Sequence, residues 1–229
     1  MNRNIIKYIA VIAMLSDHIG LLFVPADTPL RFVMRFIGRL TAPIMCFFLA
    51  EGFVHTRSKK KYALRLLLFA FISQIPYAYL MSGYFWIADF NMIATLFLCF
   101  MILLVFEQVD NIPLKVVLIA VLAGLGYYCD WGLMSPLWVM CFYLCRDDKN
   151  KMAKWYCVLC AFWVVRCCVM SVEGGNDWYN VLWQAGSFAA LPIIYLYNGE
   201  GGKASKFSKW FFYWFYPLHL LILGIAFRA

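Results

Sequence analysis

Of the 229 residues, 65% are apolar and only 14% charged, against roughly 45–50% and about 25% in a soluble domain, so the chain reads as an integral membrane protein. A mean hydropathy of +0.75 and 19% aromatic residues exclude a disordered chain, a nucleic-acid-binding domain and a disulfide-framed secreted domain. The net charge of +8 reads as topology, because excess Lys and Arg hold loops on the cytoplasmic side of a polytopic protein.

At about 20 residues per span plus a short loop, the length allows roughly eight to ten transmembrane helices. The expected fold is an all-α, polytopic transmembrane helical bundle filling residues 1–229 as a single membrane domain. Nine charge-poor runs follow one another, at about 5–24, 38–54, 63–81, 90–106, 114–129, 132–145, 153–171, 180–197 and 210–227. The first follows Met1–Asn4 without a small-residue cleavage site and reads as a retained helix. The fifth and sixth are short and separated only by Cys129-Asp130-Trp131-Gly132, which makes them a tight hairpin or partly re-entrant helices. The nine cysteines fall in apolar stretches and read as small hydrophobes; Cys157 and Cys160 have a metal-like spacing without a second pair, so no metal is expected.

Charge sets the orientation. With the N-terminus cytoplasmic, the inside segments hold Arg3, Lys7, Arg57, Lys59, Lys60, Lys61, Arg65, Lys115, Arg146, Lys149, Lys151, Lys154, Lys203, Lys206 and Lys209. The far-side loops carry Asp27, Asp89, Asp130, Glu173 and Asp177, and nine spans then put the C-terminus outside. Arg31, Arg35 and Arg39 are the anomaly, a basic cluster on the far side running into the second span.

Ionisable residues within spans are functional candidates because each costs about 2.5–3.5 kcal/mol at the bilayer centre on insertion scales. They are Asp17 and His18 in the first span, Arg39 and Glu51 toward the ends of the second, Arg166 in the seventh and His219 in the ninth. Lys7 and His18 are eleven residues apart, about 1,100° of helical rotation, so they share a face and lie about 16 Å apart along the axis. That distance suits an acyl-coenzyme A, with phosphates at Lys7 and the thioester at His18, whose imidazole can take a proton at neutral pH. The bland alternative is a snorkelling Lys7 and a satisfied core histidine.

Asp17 lies about 100° around the helix from His18 and needs a partner elsewhere, for which Arg39 is the first choice. That pair is either structural or leaves Arg39 to steady an oxyanion or an anionic group of the acceptor. Glu51 and His55 are one turn apart, followed by the basic run from Arg57 to Lys61 and then Arg65; the run anchors on anionic lipid, docks nucleotide phosphates, or both. Arg166 requires an acidic interhelical partner such as Asp17, Asp130 or Glu51, and His219 follows the helix-bending Pro217 as a second site element. Asn91, Thr95 and the Asp130-Trp131-Gly132 corner line the outer mouth or serve as caps and turns.

These residues carry a resemblance. Lys7-Tyr8-Ile9-Ala10 leading to Met14-Leu15-Ser16-Asp17-His18-Ile19-Gly20, Arg35-Phe36-Ile37-Gly38-Arg39-Leu40-Thr41-Ala42-Pro43-Ile44, Glu51-Gly52-Phe53-Val54-His55-Thr56-Arg57 and Lys61-Tyr62-Ala63-Leu64-Arg65-Leu66 are similar to the TraX family of conjugal-transfer membrane proteins. Ser73-Gln74-Ile75-Pro76, Asn91 to Thr95, Asp130-Trp131-Gly132 and Tyr216-Pro217-Leu218-His219-Leu220 agree with it as well. That family in turn resembles the acyltransferase 3 superfamily, whose first helix carries a basic residue, ten others and a His; here Lys7 stands where Arg is usual and lacks the bidentate fork.

The resemblance implies an acetyl-CoA-dependent N- or O-acetyltransferase of the bacterial cytoplasmic membrane. Its acceptor would be a pilin-like protein or an envelope glycan, its co-substrate acetyl-CoA or another acyl-CoA, and its surroundings membrane lipid, with neither metal nor nucleic acid. In that reading His18, Asp17 and Arg39 are catalytic, and Lys7, Arg57, Arg65, His55 and Glu51 bind the acyl-CoA. Arg166, His219, Asn91 and Asp130 bind the acceptor. Two rivals dispense with acyl chemistry: a transporter or flippase of a small anionic or lipid-linked metabolite, for which intramembrane charges would be a pathway, and a noncatalytic assembly factor.

Overall fold

The computed structural model describes every residue except 86–88, 202–205 and 229, and only the backbone of 206–209. Lys203, counted above among the inside cations, lies outside the described residues. The chain is helical from end to end, with no strand among the described residues. The helices are α1 (Arg3–Phe23), α2 (Pro29–Gly38), α3 (Thr41–His55), α4 (Lys59–Ser82), α5 (Met92–Gln108), α6 (Ile112–Leu125), α7 (Met134–Leu144), α8 (Lys149–Glu173), α9 (Ala190–Tyr195) and α10 (Lys206–Arg228). Two 3₁₀ segments, Gly126–Tyr128 and Trp178–Ala189, complete the order.

Each of the nine expected runs has a helical counterpart, but among the described residues five stretches are long and apolar enough to cross a membrane: α1, Pro29–His55, α4, α8 and Trp210–Arg228 of α10. At 1.5 Å per residue the 11 residues of α7 reach only about 16 Å, half a hydrocarbon core, in keeping with a re-entrant element. The expected eighth span is α-helical only in its second half, α9. The first half lies in the 3₁₀ helix Trp178–Ala189, whose 12 residues are far beyond the usual three or four.

Most helix starts follow ordinary capping chemistry. Asn2, Thr28, Ser58, Asn91, Asn111 and Asp148 each accept a backbone N–H from the first turn of α1, α2, α4, α5, α6 and α8. The second expected span, 38–54, is the helix α3, and a separate helix, α2, precedes it across a break at Arg39 and Leu40. Pro43 has no N–H to offer the Arg39 carbonyl and its ring would clash there, while Gly38 contributes no helix propensity. Thr41 restarts the chain as α3 and its hydroxyl donates to the Ala10 carbonyl of α1 at 3.1 Å.

The chain divides into two compact units, Met1–Met45 with Leu144–Phe212, and Cys46–Tyr143 with Tyr213–Ala229. In the first, α1 packs on α2 where Gly20 meets Met34 and Gly38 meets Asp17. The Trp178–Ala189 segment closes over α2 at Gly186, where a Cβ would stand 2.0 Å from the Phe36 carbonyl oxygen. Small residues at such crossings let helices approach where lipid supplies no hydrophobic drive of its own. α8 joins this layer by one stripe, Met152, Tyr156 and Cys160, and by the bonds Tyr156 to the Ser187 carbonyl (2.5 Å) and Trp163 Nε1 to Gln184 (3.1 Å).

In the second unit Phe53, Phe100, Tyr62 and Tyr143 form an edge-on aromatic core. Phe69 of α4 packs on Tyr213 and Trp214 of α10. Arg228 donates to the Tyr79 and Leu80 carbonyls at 3.1 and 3.3 Å, capping the end of α4 beside Gly83, whose φ of 81° closes the helix in the left-handed region.

Candidate functional site

α1 is unbroken from Arg3 to Phe23, so the face shared by Lys7 and His18 is a property of one rigid element. Lys7 is half-buried, its ammonium 5.5 Å from the Phe212 ring centre. His18 is buried, and its imidazole is hydrogen-bonded to the Met14 carbonyl one turn earlier. A nitrogen bonded to a carbonyl holds the ring proton, which fixes the tautomer and gives the lone pair to the other nitrogen. His55 and His219 repeat the device, with Nδ1 at 2.9 Å from the Glu51 carbonyl and 2.8 Å from the Phe215 carbonyl.

Beside His18, Asp17 pairs with Arg39 at 2.5 Å, and Arg35 joins the same carboxylate oxygen at 3.0 Å. Both guanidinia lie over the ring of Trp183, at 4.3 and 4.7 Å from its centre. The four side chains form one cluster, with Asp17 and Arg39 buried and Arg35 and Trp183 half-buried, in which a carboxylate and an aromatic face hold two stacked cations. Gly38 is what lets Asp17 enter, since a Cβ there would stand 2.3 Å from the Asp17 Cβ and Oδ1. The charges of Asp17, Arg35 and Arg39 all lie within electrostatic reach of His18.

Arg35 and Trp183 are the partners that the reading by residue type did not assign. Arg35 was legible from its four-residue spacing to Arg39, which puts both on one helical face. Trp183 had no signal, because its place depends on the 3₁₀ segment.

The expectation that Arg166 needs an acidic interhelical partner is overturned. Arg166 is exposed on the open face of α8 and stacks at 5.5 Å over Trp163 of its own helix. Asp17 is already held by the two arginines of α2, and α8 packs by a stripe that excludes Arg166.

The other candidates belong to the second unit. Glu51 comes within 3.9 Å of His55, which is exposed, as is Arg57. Arg65 is half-buried, stacks at 5.5 Å over Tyr62 and donates to the Tyr213 hydroxyl at 3.4 Å. Lys59 pairs with Glu107, which leaves Arg57, Lys60 and Lys61 as the exposed cations of this turn.

Asn91 is fully buried with its amide committed. Nδ2 donates to Gln74 Oε1 and the Ala70 carbonyl at 2.8 Å each, and Oδ1 caps the Ile93 and Ala94 N–H groups. The capping alternative therefore describes its contacts. The Asp130 carbonyl accepts from Thr95 at 2.6 Å, and its N–H donates to Phe90. Trp131 and Gly132 follow with φ of 66° and 44°, a two-residue turn that is strained at the bulky tryptophan. His219 is buried, stacked on Phe215 and edge-on to Tyr216, whose hydroxyl accepts from the Met92 N–H.

Comparison with known proteins agrees with the sequence motifs. A family model described as TraX protein matches residues 2–226. A Dichelobacter nodosus protein named probable fimbrial assembly protein FimC, serogroup H1, is 32% identical over 244 aligned positions, covering 99% of this chain and 98% of that one. An uncharacterised protein of Rickettsia prowazekii, strain Madrid E, is 45% identical over 51 residues, 22% of this chain and 19% of that one. No solved structure matches.

Proposed function

Because the chain belongs to the TraX family, we propose that it is an integral membrane acyltransferase moving an acetyl group from acetyl-CoA to an amine or hydroxyl of a pilin-like protein or an envelope-glycan acceptor. The observation that carries this reading is the pairing, on one unbroken helix, of a cation at Lys7 with an oriented, buried imidazole at His18.

In this mechanism His18 takes the proton of the attacking amine or hydroxyl as its nitrogen or oxygen bonds to the thioester carbonyl carbon. The C–S bond then breaks, the coenzyme leaves as a thiolate, and the proton held by His18 passes to it. In the covalent variant the imidazole nitrogen itself bonds to the carbonyl carbon, the C–S bond breaks to release the coenzyme thiolate, and the acceptor amine or hydroxyl then takes the acetyl group as the C–N bond to His18 breaks. The two differ in kinetics, since only the covalent path is ping-pong. Asp17, locked by Arg35 and Arg39, sets the charge beside the reacting atoms. Lys7 meets phosphate of the coenzyme. In the second unit the exposed cations Arg57, Lys60 and Lys61 attract polyanions at long range. The accompanying topology is a polytopic bundle in the bacterial cytoplasmic membrane with the N-terminus inside.

Binding of acetyl-CoA to the detergent-purified chain, followed by thermal shift, tests the reading. Saturable stabilisation that is lost in Lys7→Ala and kept in His18→Ala supports it. Absence of stabilisation by acetyl-CoA and by longer acyl-CoAs turns the reading to transport of a small anion or lipid-linked metabolite, which the arginine-bearing face of α2 favours.

A further inference from the structure

α8 is the least buried of the five stretches long and apolar enough to cross a membrane among the described residues. It meets its own unit along the stripe Met152, Tyr156 and Cys160, and its opposite side carries a second, apolar stripe. Trp155, Val158, Phe162, Val165, Val169 and Val172 follow at alternating intervals of three and four residues, the seam spacing of a helix that packs lengthwise on another. Each is between 49 and 61% exposed. Arg166 stands beside this seam, one turn from both Phe162 and Val169.

Helical side chains lean toward the N-terminus of their helix. The Arg166 guanidinium accordingly lies over Trp163, three residues earlier, at 5.5 Å from the ring centre. Trp163 is itself fixed, since its Nε1 donates to Gln184 Oε1 at 3.1 Å. It stands nine residues past Lys154 and ten before Glu173, about 14 and 15 Å along the axis. The charge therefore sits near the middle of the span and not at either edge, where a long cation is ordinarily at home.

No carboxylate of the described residues pairs with Arg166. Headgroup phosphates begin about 15 Å away on either side, half the hydrocarbon thickness, so lipid does not reach the cation where it lies. A second copy of the chain has no carboxylate to bring to this depth. Asp17 is shared by Arg35 and Arg39, and the other acids lie in loops or near helix ends. What complements a cation at mid-span is a carboxylate carried there by another helix.

We propose that the outer face of α8 docks a transmembrane helix of a different membrane protein, one that carries a single Asp or Glu near its middle and pairs it with Arg166. The seam supplies the packing, and the guanidinium held on Trp163 selects the partner by charge. The inference does not rest on acyl transfer, since neither the seam nor Arg166 enters the chemistry at His18.

The test places the full chain, labelled with a donor dye, in phosphatidylcholine liposomes with an acceptor-labelled synthetic span of Leu and Ala that carries one Glu at its centre. The control span has Gln there. Energy transfer is expected to saturate with a preference of about fivefold or more for the Glu span, and the preference should vanish in Arg166→Leu. Phe162→Ala with Val165→Ala should weaken both spans alike, which locates them on the seam. Where Arg166→Leu does not insert, Arg166→Lys keeps the charge without the planar stack and should lower the preference without abolishing it. Equal binding of the two spans to wild type, or a preference that survives Arg166→Leu, overturns the proposal. A preference abolished by phosphatidylglycerol in the liposomes overturns it too, by making a lipid headgroup the occupant. Mutual association of labelled chains that Phe162→Ala breaks does the same, by making the occupant a second copy. The readout uses no acetyl-CoA, so its failure and the failure of acyl transfer are told apart.

Discussion

Asp17 is the residue on which the first unit turns, because one carboxylate neutralises two arginines, fills the notch above Gly38 and precedes the candidate base in sequence. Replacing it with Asn leaves two guanidinia buried around a neutral group, and removing one partner of such a pair costs about 3–5 kcal/mol. Asp17→Asn should therefore lower Tm sharply, and the double variant with Arg39→Gln should lose less than the two single losses combined, as a thermal double-variant cycle would show. Additive losses would deny the coupling. Glycine makes a second test at this scale. Gly38→Ala and Gly186→Ala would put a methyl 2.3 Å from Asp17 and 2.0 Å from the Phe36 carbonyl oxygen. Each should destabilise by about 1–3 kcal/mol or more. Gly124→Ala, with open space around it in α6, should be neutral or gain up to about 1 kcal/mol from helix propensity. Equal Tm changes in all three would refute the packing.

At the scale of elements, much was legible because membrane helices must satisfy their own backbone and so appear as apolar runs. The nine runs locate every described helix but α2, and the pairing of Asp17 with Arg39 follows from the penalty on a lone buried carboxylate. The short helix α2 falls outside the nine runs, because its three arginines read as a charged far-side loop rather than as one face of a helix. The 3₁₀ course of Trp178–Ala189 was not legible, since it comes from close approach to α2 at Gly186 and not from local propensity. Arg166 was misjudged for a related reason. Charge inside an apolar run does not reveal which way it points, and α8 packs by a stripe one residue wide that leaves Arg166 outside. Substitution there should be mild: Arg166→Leu is expected to change stability by less than about 0.5 kcal/mol, whereas Tyr156→Phe, which loses the buried bond to the Ser187 carbonyl, should cost about 1 kcal/mol. A large loss for Arg166→Leu would indicate a buried partner for this guanidinium.

For the whole molecule, the distribution of basic residues predicts that a tag in the Arg57–Lys61 turn is protected from external protease in intact spheroplasts, while a tag at the Asp130–Gly132 corner is cleaved. The reverse pattern would invert the chain and put the basic turn out of reach of cytoplasmic coenzyme. The most direct measurement is release of free coenzyme A thiol from acetyl-CoA by membranes containing the chain, in wild type and His18→Ala, with acetyl-CoA binding followed in the same preparations. The account predicts release that falls at least 100-fold in the variant while binding persists, as expected for loss of a general base or nucleophile. Binding without any release attributable to His18 would contradict it.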